Sequence, residues 1–379
     1  MSEFERARRE MERVLSKPGA RPDPALRISR RTFLHRSLVT GGAAGAATFG
    51  WFPLINTIDI AYAAEEPFKF AWISDTHLYP KSVNERFVEK TVRAAKEVQA
   101  MSPPADFLIF GGDMAQLGRA EELELANEIL KEVKIRKVFI PGEHDWYYDM
   151  GAKWRQLFGA PNWTFDHKGV RFIGLDTISR APDYWSARKM SAEERMDYMA
   201  DLDGNVAGPW AGVGTDQIAW LHDTLSNWDR ARPVVIFSHN PLYEYFPPWN
   251  FWVRDWRDVN EVLAPYTSIT NVHGHTHQVL YNEIGHMRCI GMLATSWPWP
   301  YAPRGVPALT RVMIRADPGD IYDGVGWAKL GVAAAGKVEN EYIMWGRKAI
   351  FAESLSDSSL SHPEVLHPRI ADQMWQYKD

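Results

Sequence analysis

The chain has 379 residues, 45% of them apolar and 24% charged, with 13% aromatic residues and a formal net charge of −5. These proportions describe a globular protein and exclude a disordered or collagen-like chain. The single cysteine, Cys289, excludes an intrachain disulfide and a thiolate-held metal cluster, and inside a strand-like run it reads as a small buried hydrophobe.

Residues 1–63 stand apart from the rest. Met1 to Arg27 is charged, and "ERARREMERVL" could form a short helix. "SRRTFLHRS" follows, then a weakly apolar, Gly/Ala-rich stretch from Leu38 to Ile60 that ends in Ala61-Tyr62-Ala63. A positive segment, a modest apolar segment and a small-x-small site form an export signal. Arg30-Arg31 before Thr-Phe-Leu resembles the twin-arginine type, which engages the export machinery for folded proteins and implies a periplasmic or extracellular protein. The competing reading is a retained N-terminal anchor, for which the stretch is long enough but weakly hydrophobic. This segment has ten Lys/Arg and six Asp/Glu, a net +4 that leaves −9 for the remainder. So acidic a remainder argues against binding to nucleic-acid polymers, whose phosphates need clustered positive charge. If the signal is removed, no membrane contact is expected of the mature chain.

From Phe68 onward, short apolar runs alternate with helical patterns. "FKFAWIS" (68–74) reads as a strand and "NERFVEKTVRAAKEVQAM" (84–101) as an amphipathic helix. "DFLIFGG" (106–112) is a second strand, "RAEELELANEILKEV" (119–133) a second helix, and "RKVFIPG" (136–142) and "VRFIGLD" (170–176) are further strands. Such alternation predicts βαβ units and a buried sheet covered by helices. Residues 177–214, rich in Gly toward their end, read as an insertion. A helix is expected from Gln217 to Trp228, then strand-like runs at 232–239, 268–277, 279–285 and 287–293. Beyond Arg315 the pattern weakens. The expected organisation is an export signal (1–63), one domain (64–315) and a C-terminal extension (316–379).

Five polar motifs follow directly on apolar runs: "SDTH" with Asp75 and His77, "GGDM" with Asp113, "GEHD" with Glu143 and His144, "SHNP" with His239, and "HGHTH" with His275 and His277. Functional groups in open α/β sheets gather beyond the carboxyl ends of strands. Buried carboxylates and imidazoles at this density stay unsatisfied without cations, and imidazole with carboxylate suits Zn, Mn or Fe. Seven candidate ligands plus a histidine acid suit two ions sharing a bridge better than one. Residues two apart on an extended chain point to the same side, which would bring Asp75 and His77 together, and His275 and His277 likewise.

In this order, Asp75-x-His77, Gly112-Asp113, Gly142-x-His144-Asp145, His239-x-Pro241 and Gly274-His275-x-His277 resemble the calcineurin-like metallophosphoesterases, and "WISDTHLY" resembles the branch with cyclic-nucleotide phosphodiesterases. The resemblance implies a four-layer α/β/β/α sandwich with two divalent or trivalent transition-metal ions (Mn, Fe or Zn). Asp75, His77 and His277 would hold one, Asp113 would bridge, and His239, His275 and position 143 would hold the other. His144 would act at the phosphate, and a metal-bridging hydroxide would hydrolyse a small phosphate mono- or diester. Two departures stand out. Glu143 replaces the family's usual Asn, adding a charge and a methylene, and Gln116 stands where purple acid phosphatases have a Tyr ligand. With Glu143, three carboxylates and a hydroxide would neutralise two divalent ions. The alternative function is a non-catalytic metal-binding or interaction protein on the same fold. Asp145 reads as a loop-orienting group and His273 as a residue packed within its strand. The aromatic loop from Tyr243 to Trp256 reads either as a rim that stacks on an aromatic or apolar leaving group, such as a nucleobase, or as a small core that pins the loop, and "TSWPWPYAP" (295–303) shares both readings.

Overall fold

A computed structural model describes residues 66–180, 190–195, 197, 209–245, 250–299, 320–333, 337–346 and 350–351. The export signal therefore lies outside the described residues, as does most of the insertion at 177–214. Among the described residues no helix is long and apolar enough to cross a membrane.

The first strand, β1 (Phe68–Ile73), shows how the layers form. Phe68, Phe70 and Trp72 alternate with Lys69, Ala71 and Ile73, so three aromatic side chains leave one face of the strand. They meet a second aromatic face: Phe70 lies edge-on to Phe172 (5.6 Å between centroids) and Phe237 (5.9 Å), and Trp72 stacks on Phe237 (5.8 Å). Phe107 joins them against Phe172 at 5.1 Å and Phe165 at 5.4 Å. Much of the chain's aromatic content is thus the filling between two sheets, where each ring removes a large apolar area from water.

The first sheet contains β2 (Phe107–Phe110) and β3 (Arg136–Phe139) parallel to β1. On its other side β10 (Gly326–Val332), β11 (Val338–Met344) and β12 (Ile350–Phe351) run antiparallel, giving the order β12-β11-β10-β1-β2-β3. The second sheet, ordered β4-β5-β6-β7-β9-β8, comprises β4 (Trp163–His167), β5 (Val170–Leu175), β6 (Val234–Ser238), β7 (Ile269–His273), β8 (Leu280–Ile284) and β9 (Met287–Gly291). Its central strands β5, β6, β7 and β9 are parallel, and β6 and β7 are buried throughout; β6 accordingly reads as a near-continuous apolar run, whereas β7 buries Thr270, Asn271 and His273 as well.

Helices complete an α/β/β/α sandwich. Helix α1 (Glu85–Gln99) starts where the Asn84 side chain accepts from the Phe87 N–H, and it buries Val88, Thr91, Ala94, Ala95 and Val98 at helical spacing. Helix α2 (Ala120–Leu130) buries Leu123, Ala126, Ile129 and Leu130 in the same way. Helices α3 (Ala152–Phe158), α4 (Thr215–Ser226) and α5 (Trp256–Leu263) follow.

One expectation is corrected. The domain does not end near residue 315, because β10 pairs with β1 from Phe68↔Val332 to Trp72↔Ala328 and so supplies an inner strand of the first sheet. In β10 and β11, Lys329, Glu339 and Glu341 interrupt the apolar residues, and that dilution hid the strands. Helices α3 and α5 and strand β4, of 7, 8 and 5 residues, add to the elements expected from the sequence.

Candidate metal centre

All five motifs emerge from carboxyl ends of strands on one side of the sandwich: Asp75 and His77 after β1, Asp113 after β2, Glu143 and His144 after β3, His239 after β6, and His275 and His277 after β7. The first two loops run side by side. The Asp75, His77 and Leu78 N–H groups donate to the carbonyls of Gly112, Asp113 and Met114 at 2.9, 3.0 and 2.9 Å.

Asp75, His77, Asp113, His275 and His277 all adopt left-handed backbone, with φ of 54°, 46°, 48°, 62° and 49°. They are five of the eight non-glycine residues with positive φ among the described residues, and such conformations cost energy and concentrate at functional sites. These turns, rather than extended alternation, set where the side chains go: Asp75 and His77 enter one group, whereas His275 and His277 enter different ones. Gly112 (φ 101°) and Gly142 allow the close approach that follows. A Cβ on the first would collide with His239 Nδ1, and one on the second with the Asp113 carboxylate.

The convergent side chains form two buried groups. Asp75, His77 and His277 make one, and Asp113, Glu143, His239 and His275 the other; within each group the facing atoms lie within 4.8 Å of one another. Asp113 also groups with His77 and His144, so it links the two. In the first group His277 Nε2 is 3.2 Å from Asp75 Oδ1 and 3.1 Å from His77 Nε2. In the second, His275 Nδ1 is 2.9 Å from Glu143 Oε1, and His239 Nε2 is 3.1 Å from Glu143 Oε2 and 3.3 Å from Asp113 Oδ2. Glu143 is buried and points into the cluster rather than to solvent.

Backbone carbonyls decide which ring nitrogens face inward. A carbonyl only accepts, so the Nδ1 atoms of His239, His277 and His144 must donate to Gly111 O (2.8 Å), Trp297 O (2.9 Å) and Gln116 O (2.7 Å). When these rings are neutral, their Nε2 lone pairs point at carboxylates or at another imidazole. Supporting carbonyls of this kind orient metal-binding histidines. Gln116 acts twice, since its side-chain oxygen lies 3.0 Å from His77 Nδ1.

The electrostatics agree. Burial raises Glu143, but His275 and His239 outweigh it and hold the carboxyl well below its usual range. Asp75 is likewise lowered, His277 and His239 prevailing over burial. Burial, then the charges of His144 and His277, push His77 well down, leaving it neutral and able to donate a lone pair. Burial lowers His239, yet Asp113 and Glu143 prevail and raise it well above normal. Nε2 of His239 is buried with no hydrogen-bond partner of good geometry, although two carboxylates face it. A position that attracts a proton this strongly attracts a metal cation for the same reason, and the two compete. The donor set of imidazoles and carboxylates therefore fits transition-metal ions.

His144 is half-buried beside the first group. Its ring lies 4.5 Å from that of His77 and 4.7 Å from that of Tyr147, and its N–H donates to Asp113 Oδ1 at 3.0 Å. Asp145 is buried and accepts from the N–H groups of Met114, Ala115 and Gly142 at 2.9, 3.0 and 3.0 Å, which ties the second and third loops together. Burial and then the charge of Asp113 hold its carboxyl up at about 7, while the N–H donors pull it down. His273 faces Tyr243 Oη at 3.1 Å, is buried in β7 and is a member of neither group. The roles of Gln116, Gly111 and Trp297 were not foreseen, because a supporting carbonyl has no residue-type signature.

Among curated proteins, the chain is 22% identical over 224 residues to a probable glycerophosphodiester phosphodiesterase of Arcobacter nitrofigilis, covering 56% of this chain and 74% of that protein. It is 25% identical over 239 residues to a 3',5'-cyclic adenosine monophosphate phosphodiesterase of Haemophilus influenzae, covering 59% and 74%. Among solved structures, a dimetal phosphatase of Danio rerio shares the fold (TM-score 0.53, 13% identity, 75% of this chain and 98% of that one). So does a purple acid phosphatase of yellow lupin, Lupinus luteus (TM-score 0.54, 12% identity, 76% and 53%). The model of the calcineurin-like phosphoesterases matches residues 68–279, which include every residue of both groups, and the chain belongs to that family.

Proposed function

We propose that the protein is an exported, dinuclear metal-dependent phosphoesterase that hydrolyses small phosphate esters, diesters foremost. The observation that carries this reading is the arrangement of locked imidazoles: Nε2 of His77 and of His277 face each other at 3.1 Å, and Nε2 of His239 faces two carboxylates. The facing lone pairs of His77 and His277 repel, and the two carboxylates gather positive charge onto His239; cations among these groups would turn both arrangements into ligation. Asp75, His77 and His277 would hold one ion, Glu143, His239 and His275 the other, and Asp113 both. When bound, such a pair supplies an acidified water and positive charge against the phosphoryl oxygens.

The chain's own groups supply the rest. His144 keeps its Nδ1 proton on the Gln116 carbonyl, so Nε2 is the atom that exchanges a proton with the ester. Protonated there, it donates to the departing oxygen as a general acid. Tyr147 packs against its ring and Asp113 accepts from its N–H, which fixes where that proton is delivered. Glu143 brings the protein's carboxylates in the centre to three, favouring a pair of divalent ions neutralised by its ligands or a pair containing Fe(III). Substrates of low charge suit such a centre, and both curated relatives named above are phosphodiesterases. Export is supported by the sequence alone, through Arg30-Arg31 and the stretch that follows.

Metal analysis combined with assays on aryl phosphate mono- and diesters under Mn, Fe or Zn loading tests this reading. Two ions per chain and diester hydrolysis are expected. Stoichiometric metal without hydrolysis of any ester would instead indicate a non-catalytic metal-binding protein.

A further inference from the structure

The aromatic residues around the centre divide into two kinds. Tyr243 and Tyr245 are buried, with their hydroxyls on His273 Nε2 (3.1 Å) and Gln278 Oε1 (2.6 Å), so they pin the loop. Trp297 backs the first group of ligands: its ring lies 4.0 Å from that of His77 and 4.7 Å from that of His277, and it stacks on Phe87 at 5.4 Å. Phe251 and Trp299 differ. Asn250, in the left-handed region at φ 54°, turns Phe251 onto His275, with ring centroids 4.9 Å apart. Trp299 is tied to the other half of the centre by its N–H on the His277 carbonyl (3.2 Å), and its ring meets Phe251 at 5.6 Å and 79°. Phe251 is 5% exposed and Trp299 37%. Only four large apolar side chains remain exposed among the described residues, and Trp299 is the one in ring contact with a residue packed on the cluster. A large exposed ring beside a polar centre is informative in a way that a scattered surface hydrophobe is not.

Two rings at nearly a right angle form a corner. A flat group entering it can stack on one ring and meet the other edge-on, the two geometries aromatic pairs favour, whereas a small alkyl group gains little. The corner lies on the His275 flank, whereas His144 lies on the His77 flank. A leaving oxygen protonated by His144 departs on that second flank, so the corner faces the ester group that stays on phosphorus.

We propose that Phe251 and Trp299 form a subsite for a flat aromatic group on the retained ester of a phosphodiester. This rests on the phosphoesterase reading above, and its test separates the two. The full chain loaded with Mn is assayed on methyl p-nitrophenyl phosphate and phenyl p-nitrophenyl phosphate, which share a leaving group and a charge. The phenyl ester is expected to be preferred in kcat/KM by about five- to tenfold, mainly through KM. Trp299→Ala, at a partly exposed position, and Phe251→Leu, which keeps bulk in a buried position, each bring that ratio toward one. Phenylphosphonate and methylphosphonate, which are not hydrolysed, provide the second readout. Their dissociation constants, measured by calorimetry, should differ in the same direction in the native protein and converge in Trp299→Ala. Binding with this preference but no turnover of either ester would uphold the subsite and sink the phosphoesterase reading. Turnover with equal kcat/KM for the two esters, or a preference that survives both substitutions, would overturn the subsite.

Discussion

The two halves of the cluster use the same residue types and differ in their balance of carboxylate to imidazole. Asp113, Glu143, His239 and His275 supply two carboxylates for two imidazoles, so a proton on His239 can sit between Asp113 and Glu143 at 3.3 and 3.1 Å. Asp75, His77 and His277 supply one carboxylate, and burial with the neighbouring charges of His144 and His277 drives His77 to its neutral form. The second half is therefore self-compensating, whereas the first sets imidazole nitrogens against each other at 3.1 Å. The first half would therefore gain the more cohesion from a bound ion, while the second, which already gathers a proton onto His239, would have to release one to bind metal.

Removing the residue that links the halves should erase this contrast. Asp113→Asn is expected to reduce phosphodiester turnover on the order of 10³-fold and to lower metal content in both halves. Steady-state kinetics with elemental analysis of the same preparation checks it.

A second prediction concerns the footing of the second half. Burial holds His273 down at about 4, against 6.5 when exposed, so the folded protein keeps it neutral while the unfolded chain protonates below 6.5. The unfolded state then binds more protons between pH 6.5 and 4, and stability falls as pH drops through that window, by up to about 3 kcal/mol. Urea denaturation across this range should show the slope, and His273→Gln should flatten that part of it.

Glu143→Asn sharpens the contrast by removing one carboxylate from the second half. The affinity for the ion of the second half should fall roughly tenfold or more, with the pH dependence of its binding reduced, while the first half keeps its affinity. Titration calorimetry with Mn resolves the two sites. The smallest effect belongs to Gln116→Leu, which frees His77 Nδ1 in the first half. About a tenfold loss of affinity is expected there alone, read in the same titration.

Most of what can be read from sequence here comes from residues whose type is also their chemistry. Asp75, His77, Asp113, Glu143, His144, His239, His275 and His277 were identifiable because each follows an apolar strand, and the structure brings all eight together. The Asp-x-His and His-x-His spacings do not work by extended alternation, since Asp75, His77, His275 and His277 all adopt left-handed backbone, a conformation their residue types do not announce. Strands β10 and β11 are weak in the sequence because Lys329, Glu339 and Glu341 break up their apolar runs, although β10 pairs with β1 and β11 with β10. The carbonyls of Gly111, Gln116 and Trp297 that orient three histidines carry no side-chain signature. The aromatic loop was legible as a cluster, but its division into a buried part and a surface corner depends on which rings the tertiary contacts consume.

The central claim is a two-ion centre in which Glu143 is a ligand. Anomalous diffraction from crystals of the Mn-loaded protein tests it most directly. Two peaks about 3.5–4 Å apart are expected, both beside Asp113 and one beside Glu143. A single peak, or two peaks with the Glu143 carboxylate turned away from both, would contradict it.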